Sequence, residues 1–240
     1  MARVNWMEGE LLKLLIVYCE LPFGRMHARN PAIVGLAQRL GRTPSAVALK
    51  MVNFASLDPT IQQKGMSNVS KLDREVWNKF LKNIDYYLSS ESSIHGELQE
   101  PQSVVTDLSY FGSDIAILTT ARQGQQRFRK VILASYENRC AISGLADEQL
   151  LVASHIAPWA ELENRRLDPR NGICLNALLD RAFDRGIISL SDSYEVLFSE
   201  RVSDDTRTKL RSMGQKFSPP SKFLPDTDLL RAHRDKFGFA

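Results

Sequence analysis

Residues 151–184 read LVASHIAPWAELENRRLDPRNGICLNALLDRAFD, and this stretch decides the fold of the second half of the chain. Its first residues are rich in aliphatic side chains and end in Pro-Trp, which is typical of a strand that runs into a loop. Residues 171–184 carry apolar side chains at helical spacing and therefore predict a helix. A strand, a loop and a helix in this order indicate a mixed α+β domain.

The flanking segments extend this predicted domain over residues 122–240. We expect a short helix over residues 127–140 and a strand over residues 140–144, CAISG, which ends in a Ser-Gly turn. Residues 186–202 predict a β-hairpin that turns at Ser191–Ser193. The tail, residues 223–239, predicts a capped helix.

The first 88 residues predict an all-helical domain. Apolar residues are dense between Trp6 and Leu21, and the second segment, residues 31–53, reads PAIVGLAQRLGRTPSAVALKMVN. Within it the small Ala37, the turn glycine Gly41 and the aliphatic Val47 have the offsets of a helix-turn-helix motif. The second helix would then present Ser45 and Lys50 to a DNA groove. A plain helical hairpin that only packs the domain is the alternative.

A further helix and an acidic linker complete this half of the chain. Ser70 is a predicted cap for a helix whose apolar face includes Trp77, Phe80 and Leu88. Residues 89–121 contain five acidic residues and no Lys or Arg, whereas residues 1–88 contain 12 Lys and Arg against 7 acidic residues. Two basic blocks around an acidic linker suit a partner with a phosphate backbone, although a solvated surface would have the same composition.

Composition excludes several classes of protein. No run of apolar residues is long enough for a transmembrane helix, and the N-terminal residues do not resemble a signal peptide, so we expect a cytoplasmic protein without a membrane partner. The cysteines Cys19, Cys140 and Cys174 are odd in number and far apart, which argues against a disulfide framework. The sequence has no CxxC pair, and we therefore expect no structural zinc.

Several short motifs follow one another between residues 122 and 190. They are an Arg-x4-Arg-x-Arg series, CAISG, ASHIAPW around His155, DPRNG around Asn171, and LDRAFDRG with Asp180 and Asp184. In this order and spacing they resemble the HNH endonucleases of the restriction and phage-defence type, which have a ββα-metal domain. The tail pair His233-Arg234 resembles, more weakly, a closing His-Arg pair of such proteins. The resemblance predicts an HNH nuclease domain over residues 122–240, which would follow the helix-turn-helix-like domain expected over residues 1–88.

The resemblance also implies a role for each polar residue of the cluster. His155 matches the general base, which takes a proton from the attacking water. Asn171 matches the residue that holds the geometry of this base or lends its amide oxygen to the metal. Asp180 stands where many relatives have a histidine ligand, and Ser154 stands where many have a stronger ligand. Asp184, one turn further along, is a second candidate ligand, or it bonds backbone amides at the following turn.

The oxygen-bearing residues at these positions also predict which metal ion the site would bind. A site rich in oxygen ligands prefers one Mg²⁺ or Mn²⁺ ion over Zn²⁺. We expect double-stranded DNA as the partner, with candidate phosphate contacts from four of the arginines of this domain. They are Arg129, Arg165, Arg166 and Arg170. A homodimer would suit cleavage of both strands.

Three functions compete at this point. The first is a metal-dependent DNA endonuclease in restriction or anti-phage defence. The second is a non-enzymatic DNA-binding regulator with a degenerate HNH domain, which has lost its metal because Ser154 and Asp180 are inadequate ligands. The third is a nuclease gated by another protein or a small signal, although no sensor module is visible in the sequence.

Overall fold

The computed structural model of the protein describes residues 5–61, 69–89 and 113–239. The chain divides into two compact units, Met1–Phe128 and Arg129–Ala240. Most of the predicted acidic linker, residues 89–121, lies outside the described residues, as does most of the loop before Ser70. Helix α6, Ser113–Ser135, runs from the first unit into the second and begins well before the helix predicted from residue 127.

The first unit is helical, as predicted. It contains α1 (Glu8–Glu20), α2 (Pro31–Arg39), α3 (Pro44–Ala55), α4 (Lys71–Lys82) and α5 (Ile84–Ser89). Eight of the nine residues from Leu11 to Cys19 are buried, with Lys13 as the exception, because α1 packs against α2, α3, α4 and α5. The predicted cap is present, since the Ser70 hydroxyl accepts a hydrogen bond from the Asp73 amide at 3.1 Å.

Helices α2 and α3 form the helical hairpin that the sequence predicts. Asn30 caps α2 and Thr43 caps α3, each by accepting a hydrogen bond from a backbone amide of the first turn. Gly41 has φ +62°, a left-handed conformation that a glycine adopts without strain. Ala37 and Val47 are fully buried between the helices. This geometry establishes a packed hairpin, and its use as a DNA-binding helix-turn-helix is not confirmed by it.

The centre of the second unit is a two-stranded antiparallel sheet with a helix behind it. Strand β1 (Leu151–His155) pairs with β2 (Gly172–Asn176), so that Leu151 faces Asn176 and His155 faces Gly172. Helix α7 (Ala177–Asp184) follows β2 directly and packs on both strands. This is the ββα order that the resemblance predicts.

Two local predictions for this unit were wrong. Residues 172–176 form β2 rather than the first turns of a helix, because every residue of this strand is buried and its backbone pairs with β1. The helix begins only at Ala177, where the Asn176 side chain accepts hydrogen bonds from the amides of Leu178 and Leu179. Residues 141–143 form a turn instead of the predicted strand, since the Gly144 amide bonds back to the Cys140 carbonyl.

The remaining elements surround this core. The predicted β-hairpin is present as β3 (Ile188–Leu190) and β4 (Val196–Phe198). Helix α8 (Asp204–Met213) follows, and the predicted tail helix is α9 (Thr227–Phe237), capped by Asp226. The three cysteines are free and buried. No helix in the described part of the chain is long and apolar enough to cross a membrane.

Candidate active site

The ββα unit gathers the predicted chemistry along one cleft with a volume of about 550 Å³. His155 lies at the end of β1, next to Ser154, while Asp180 and Asp184 lie one turn apart on α7. All four side chains line the cleft. Residues of the loop after β1 and of α9 complete its walls. The structure thus brings four of the five residues predicted for catalysis or metal binding to one place.

The imidazole of His155 is held in a defined orientation. Its Nε2 lies 2.9 Å from the Arg166 carbonyl oxygen, and its ring meets the Trp159 ring edge-on at 5.6 Å between centroids. Because a carbonyl only accepts hydrogen bonds, Nε2 carries the proton and the lone pair of the neutral ring lies on Nδ1. Burial lowers the pKa of His155, against opposing contributions from the Arg166 carbonyl and the Asp184 carboxylate. The ring is therefore a neutral base near pH 7.

Asn171 is buried behind the cleft and makes three hydrogen bonds to the backbone. Its Oδ1 accepts from the Ala157 amide at 2.9 Å, and its Nδ2 donates to the carbonyls of Ala157 at 3.3 Å and Arg165 at 3.1 Å. These bonds hold the two ends of the loop after β1 next to each other. Asn171 is not among the residues that line the cleft. This placement favours the predicted positioning role over the predicted role as a metal ligand.

The two carboxylates of α7 differ in their surroundings. Burial raises the pKa of Asp180, and the nearby Asp184 carboxylate raises it further, while the Ser154 hydroxyl and Arg181 lower it. Asp184 is exposed and makes no hydrogen bond or ion pair with any described residue. The predicted alternative, that Asp184 bonds backbone amides at the Gly186 turn, is not formed, because the Gly186 amide donates to the Phe183 carbonyl at 2.8 Å.

A divalent cation fits this donor set. The Ser154 hydroxyl is buried and has no well-aligned hydrogen-bond partner among the described residues, although it lies close enough to Asp180 to favour the charged carboxylate. A cation would stabilise both carboxylates and give the hydroxyl a partner. The described residues contain no cluster of three or more His, Cys, Asp or Glu side chains that could hold a metal. Two carboxylates and a hydroxyl are oxygen donors of the kind that hard divalent cations bind.

The arginines predicted to bind DNA phosphates are engaged inside the second unit. We call residues 163–171 the arginine loop. Arg165 pairs with Asp168 at 3.2 Å and Asp226 at 2.7 Å, and Arg170 pairs with Asp168 at 2.8 Å. Arg166 donates to the Trp159 carbonyl at 2.8 Å. None of the three lines the cleft.

The other predicted DNA contacts lie away from the cleft. Arg129 donates to the carbonyls of Leu151 at 2.7 Å and Glu148 at 2.9 Å, which fixes the start of β1 to α6. In the first unit both carboxylate oxygens of the buried Asp73 lie 3.0 Å from the Lys50 ammonium. Ser45 is exposed at the start of α3. Lys50 and Arg129 therefore bind partners within the protein, whereas the exposed Ser45 remains accessible to a ligand.

Sequence reasoning missed several residues of the cleft wall. They are Glu161, Arg181, Arg185 and Lys236, and His233 was noted only as part of a weak resemblance. Arg181 and Arg185 directly follow Asp180 and Asp184 along α7 and its C-cap, so their positions could have been inferred from the helix itself. Glu161 and Lys236 pair at 2.7 Å across 75 positions of sequence, and no local pattern predicts such a contact.

Comparison with known families agrees with this geometry. Residues 140–191 match the family model described as HNH endonuclease, and the matched segment contains β1, β2 and α7 with His155, Asn171, Asp180 and Asp184. The predicted resemblance is confirmed for this segment. An HNH domain indicates nuclease activity with DNA as the substrate, and HNH nucleases generally use a divalent metal. A comparison with curated proteins found no match.

Proposed function

We propose that the protein is a metal-dependent DNA endonuclease that hydrolyses phosphodiester bonds. The observation that supports this most directly is the orientation of His155. Its Nε2–H donates to the Arg166 carbonyl, and its ring lines the same cleft as the carboxylates of Asp180 and Asp184. A structural histidine needs no carboxylate pair in its cleft. A general base for water beside a metal site needs both features.

The protein's own residues would divide the reaction as follows. His155 accepts the proton of the attacking water at Nδ1, and the Arg166 carbonyl holds the ring so that this nitrogen keeps its lone pair. Asn171 fixes the loop that carries the carbonyl. Asp180 and Asp184, with the Ser154 hydroxyl, would hold one Mg²⁺ or Mn²⁺ ion. When bound, the ion supplies positive charge that stabilises the phosphate oxygens during cleavage.

Nicking of a supercoiled plasmid tests the proposal. The full chain is incubated with Mg²⁺, Mn²⁺, Zn²⁺ or EDTA, and we expect cleavage with the first two ions, little with Zn²⁺ and none with EDTA. His155→Ala should lower the rate by about 10²–10⁴-fold while DNA binding persists. His27→Ala, which removes an exposed imidazole of the first unit, is the matched control and should cleave normally. Cleavage by His155→Ala within threefold of the parent would refute the assignment.

A non-enzymatic DNA-binding regulator is the competing function. The packed α2–α3 hairpin and the exposed Ser45 are compatible with it, and so is an HNH domain that binds DNA without cutting. Binding without cleavage under every metal condition would favour the regulator.

The finer parts of the proposal are a restriction or anti-phage role and a homodimer. Incubation with modified and unmodified phage DNA, followed by mapping of the ends, tests the role. The mass of the complex on a DNA fragment tests the dimer.

A further inference from the structure

The arginines near the candidate active site fall into two groups. Those of the arginine loop are bound to internal partners, chiefly the buried Asp168. Arg181 of α7 and Arg185, the residue directly after this helix, are exposed and line the cleft, and neither guanidinium makes a hydrogen bond or ion pair with any described residue. The guanidinium groups that line the cleft are thus available to a ligand, while those of the loop stabilise the fold.

The helix itself explains why these two arginines stay unpaired. Each follows an aspartate directly, and neighbours at i,i+1 do not face each other on a helix. Arg181 and Asp184 are three residues apart and still make no ion pair among the described residues. At the same spacing Arg207 pairs with Asp204 at 3.0 Å, but there the aspartate comes first. Arg231 and Asp228 repeat that order at 3.1 Å.

Arg185 is the C-cap of α7 and its amide donates to the Arg181 carbonyl, so the two arginines lie about one helical turn apart on the same side. Asp180 and Asp184 are also one turn apart, so two cations lie beside two anions along one helix. A DNA strand that approaches these carboxylates brings further negative charge to them. Positive charge near the carboxylates is needed to offset this repulsion and hold the strand. A guanidinium can do so because it binds a phosphate through two parallel hydrogen bonds.

We propose that Arg181 and Arg185 contact the DNA backbone and hold the phosphates on either side of the scissile bond over His155 and the α7 carboxylates. The proposal rests on the proposed function for its substrate class. It moves the phosphate contacts from Arg165, Arg166 and Arg170 to the helix that also carries the candidate metal ligands. Binding and chemistry would then share one rigid element, so that a bound phosphate lies at a fixed position relative to His155.

The salt dependence of DNA binding tests this assignment. The full chain and its Arg181→Gln, Arg185→Gln and double variants are titrated into a fluorescent DNA duplex in EDTA, which separates binding from cleavage. Each lost phosphate contact should lower the slope of log K against log salt concentration by about 0.9. At 0.1 M salt this corresponds to binding that is roughly eightfold weaker for each single variant.

Arg139→Gln is the matched control. Arg139 is exposed, belongs to the same unit and lies outside the cleft, so the variant changes the net charge equally. It should keep the parent's slope. The urea midpoint of all variants should also stay at the parent's value, because neither cleft arginine has a partner among the described residues.

The outcomes separate this inference from the proposed function. If the parent cleaves DNA and the double variant keeps the parent's slope and cleavage rate, the inference is wrong while the proposed function stands. If the parent never cleaves but loses slope with each substitution, the phosphate contacts are supported and the endonuclease is not. A slope that falls equally in Arg139→Gln, or a parent that does not bind DNA, overturns the inference.

Discussion

The arginine loop and helix α7 both carry several charged residues, but the charges of the loop are paired with one another and most of those at α7 are not. In the loop, Asp168 is 1% exposed and accepts hydrogen bonds from Arg165, Arg170 and a backbone amide. On α7 and at its C-cap, the side chains of Arg181, Asp184 and Arg185 are exposed and unpaired among the described residues. Charges that satisfy one another hold a loop in place, whereas charges left unsatisfied in a cleft are available for a ligand or for chemistry.

The largest effect should come from the α7 carboxylates. Asp180→Asn should lower metal-dependent cleavage by about 10³-fold, because a metal ion contributes several kcal/mol to stabilising the transition state. Isothermal titration of Mn²⁺ measures the accompanying loss of metal affinity. Asp205→Asn, which changes an exposed aspartate of α8, is the control. Unchanged Mn²⁺ affinity in Asp180→Asn would mean that Asp184 or Ser154 is the main ligand.

Asp168→Ala should act on stability instead of chemistry. Its removal deletes hydrogen bonds from Arg165, from Arg170 and from a backbone amide, and at about 1 kcal/mol for each we expect a loss of about 3 kcal/mol in the free energy of unfolding. Urea denaturation in EDTA measures it. Asp204→Ala removes the partner of Arg207 at an aspartate whose side chain is 94% exposed, and it should cost far less. Equal losses in the two variants would erase the distinction between buried and exposed pairs.

His233 also lines the cleft, but both of its ring nitrogens are hydrogen-bonded, in contrast to the guanidinium groups of the two cleft arginines. Nδ1 lies 2.9 Å from the Ser189 hydroxyl and Nε2 lies 3.1 Å from the Phe183 carbonyl. Burial lowers the pKa of His233 to about 4. The unfolded chain therefore binds one more proton between pH 4 and the ordinary histidine value near 6.5. Stability should fall by up to about 3 kcal/mol as the pH falls through this range.

Denaturation curves from pH 7 to pH 4 measure this effect. The glutamine of His233→Gln can keep one hydrogen bond but does not titrate. The slope of its unfolding free energy against pH should therefore be smaller than the parent's, by the equivalent of up to one bound proton. The cleavage rate per folded molecule should stay close to the parent's. Identical pH dependence in the two proteins would assign the titration to another group.

The smallest predicted effect concerns the first unit. It tests whether a charge that is paired internally there also contributes to stability and not to DNA binding. Lys50 is paired with the buried Asp73, which keeps a hydrogen bond from the Ser70 amide, so Lys50→Ala should lower the free energy of unfolding by about 2 kcal/mol. Since its ammonium is already bound, the salt slope of DNA binding should change by much less than the 0.9 expected for a lost phosphate contact. Lys71→Ala, at a lysine whose side chain is 92% exposed, is the control for net charge. A drop of about 0.9 in Lys50→Ala alone would restore the predicted recognition helix.

The local sequence was sufficient to predict most helices and the candidate catalytic residues. Helix limits depend on caps and prolines that lie within a turn of the end, so the Ser70 cap could be predicted without any knowledge of the fold. The order of His155, Asp180 and Asp184 along the chain was equally visible, because motifs are local patterns.

Only the tertiary structure decided which polar residues are partners and which are available. The buried strand β2 resembles a helical segment in sequence, and its pairing with β1 made it a strand. Arg165 reaches Asp226 across 61 positions, so nothing near it in sequence indicated that its charge is engaged. Residue type and spacing determine what a side chain can do, but its role depends on neighbours that long-range folding brings within about 3 Å.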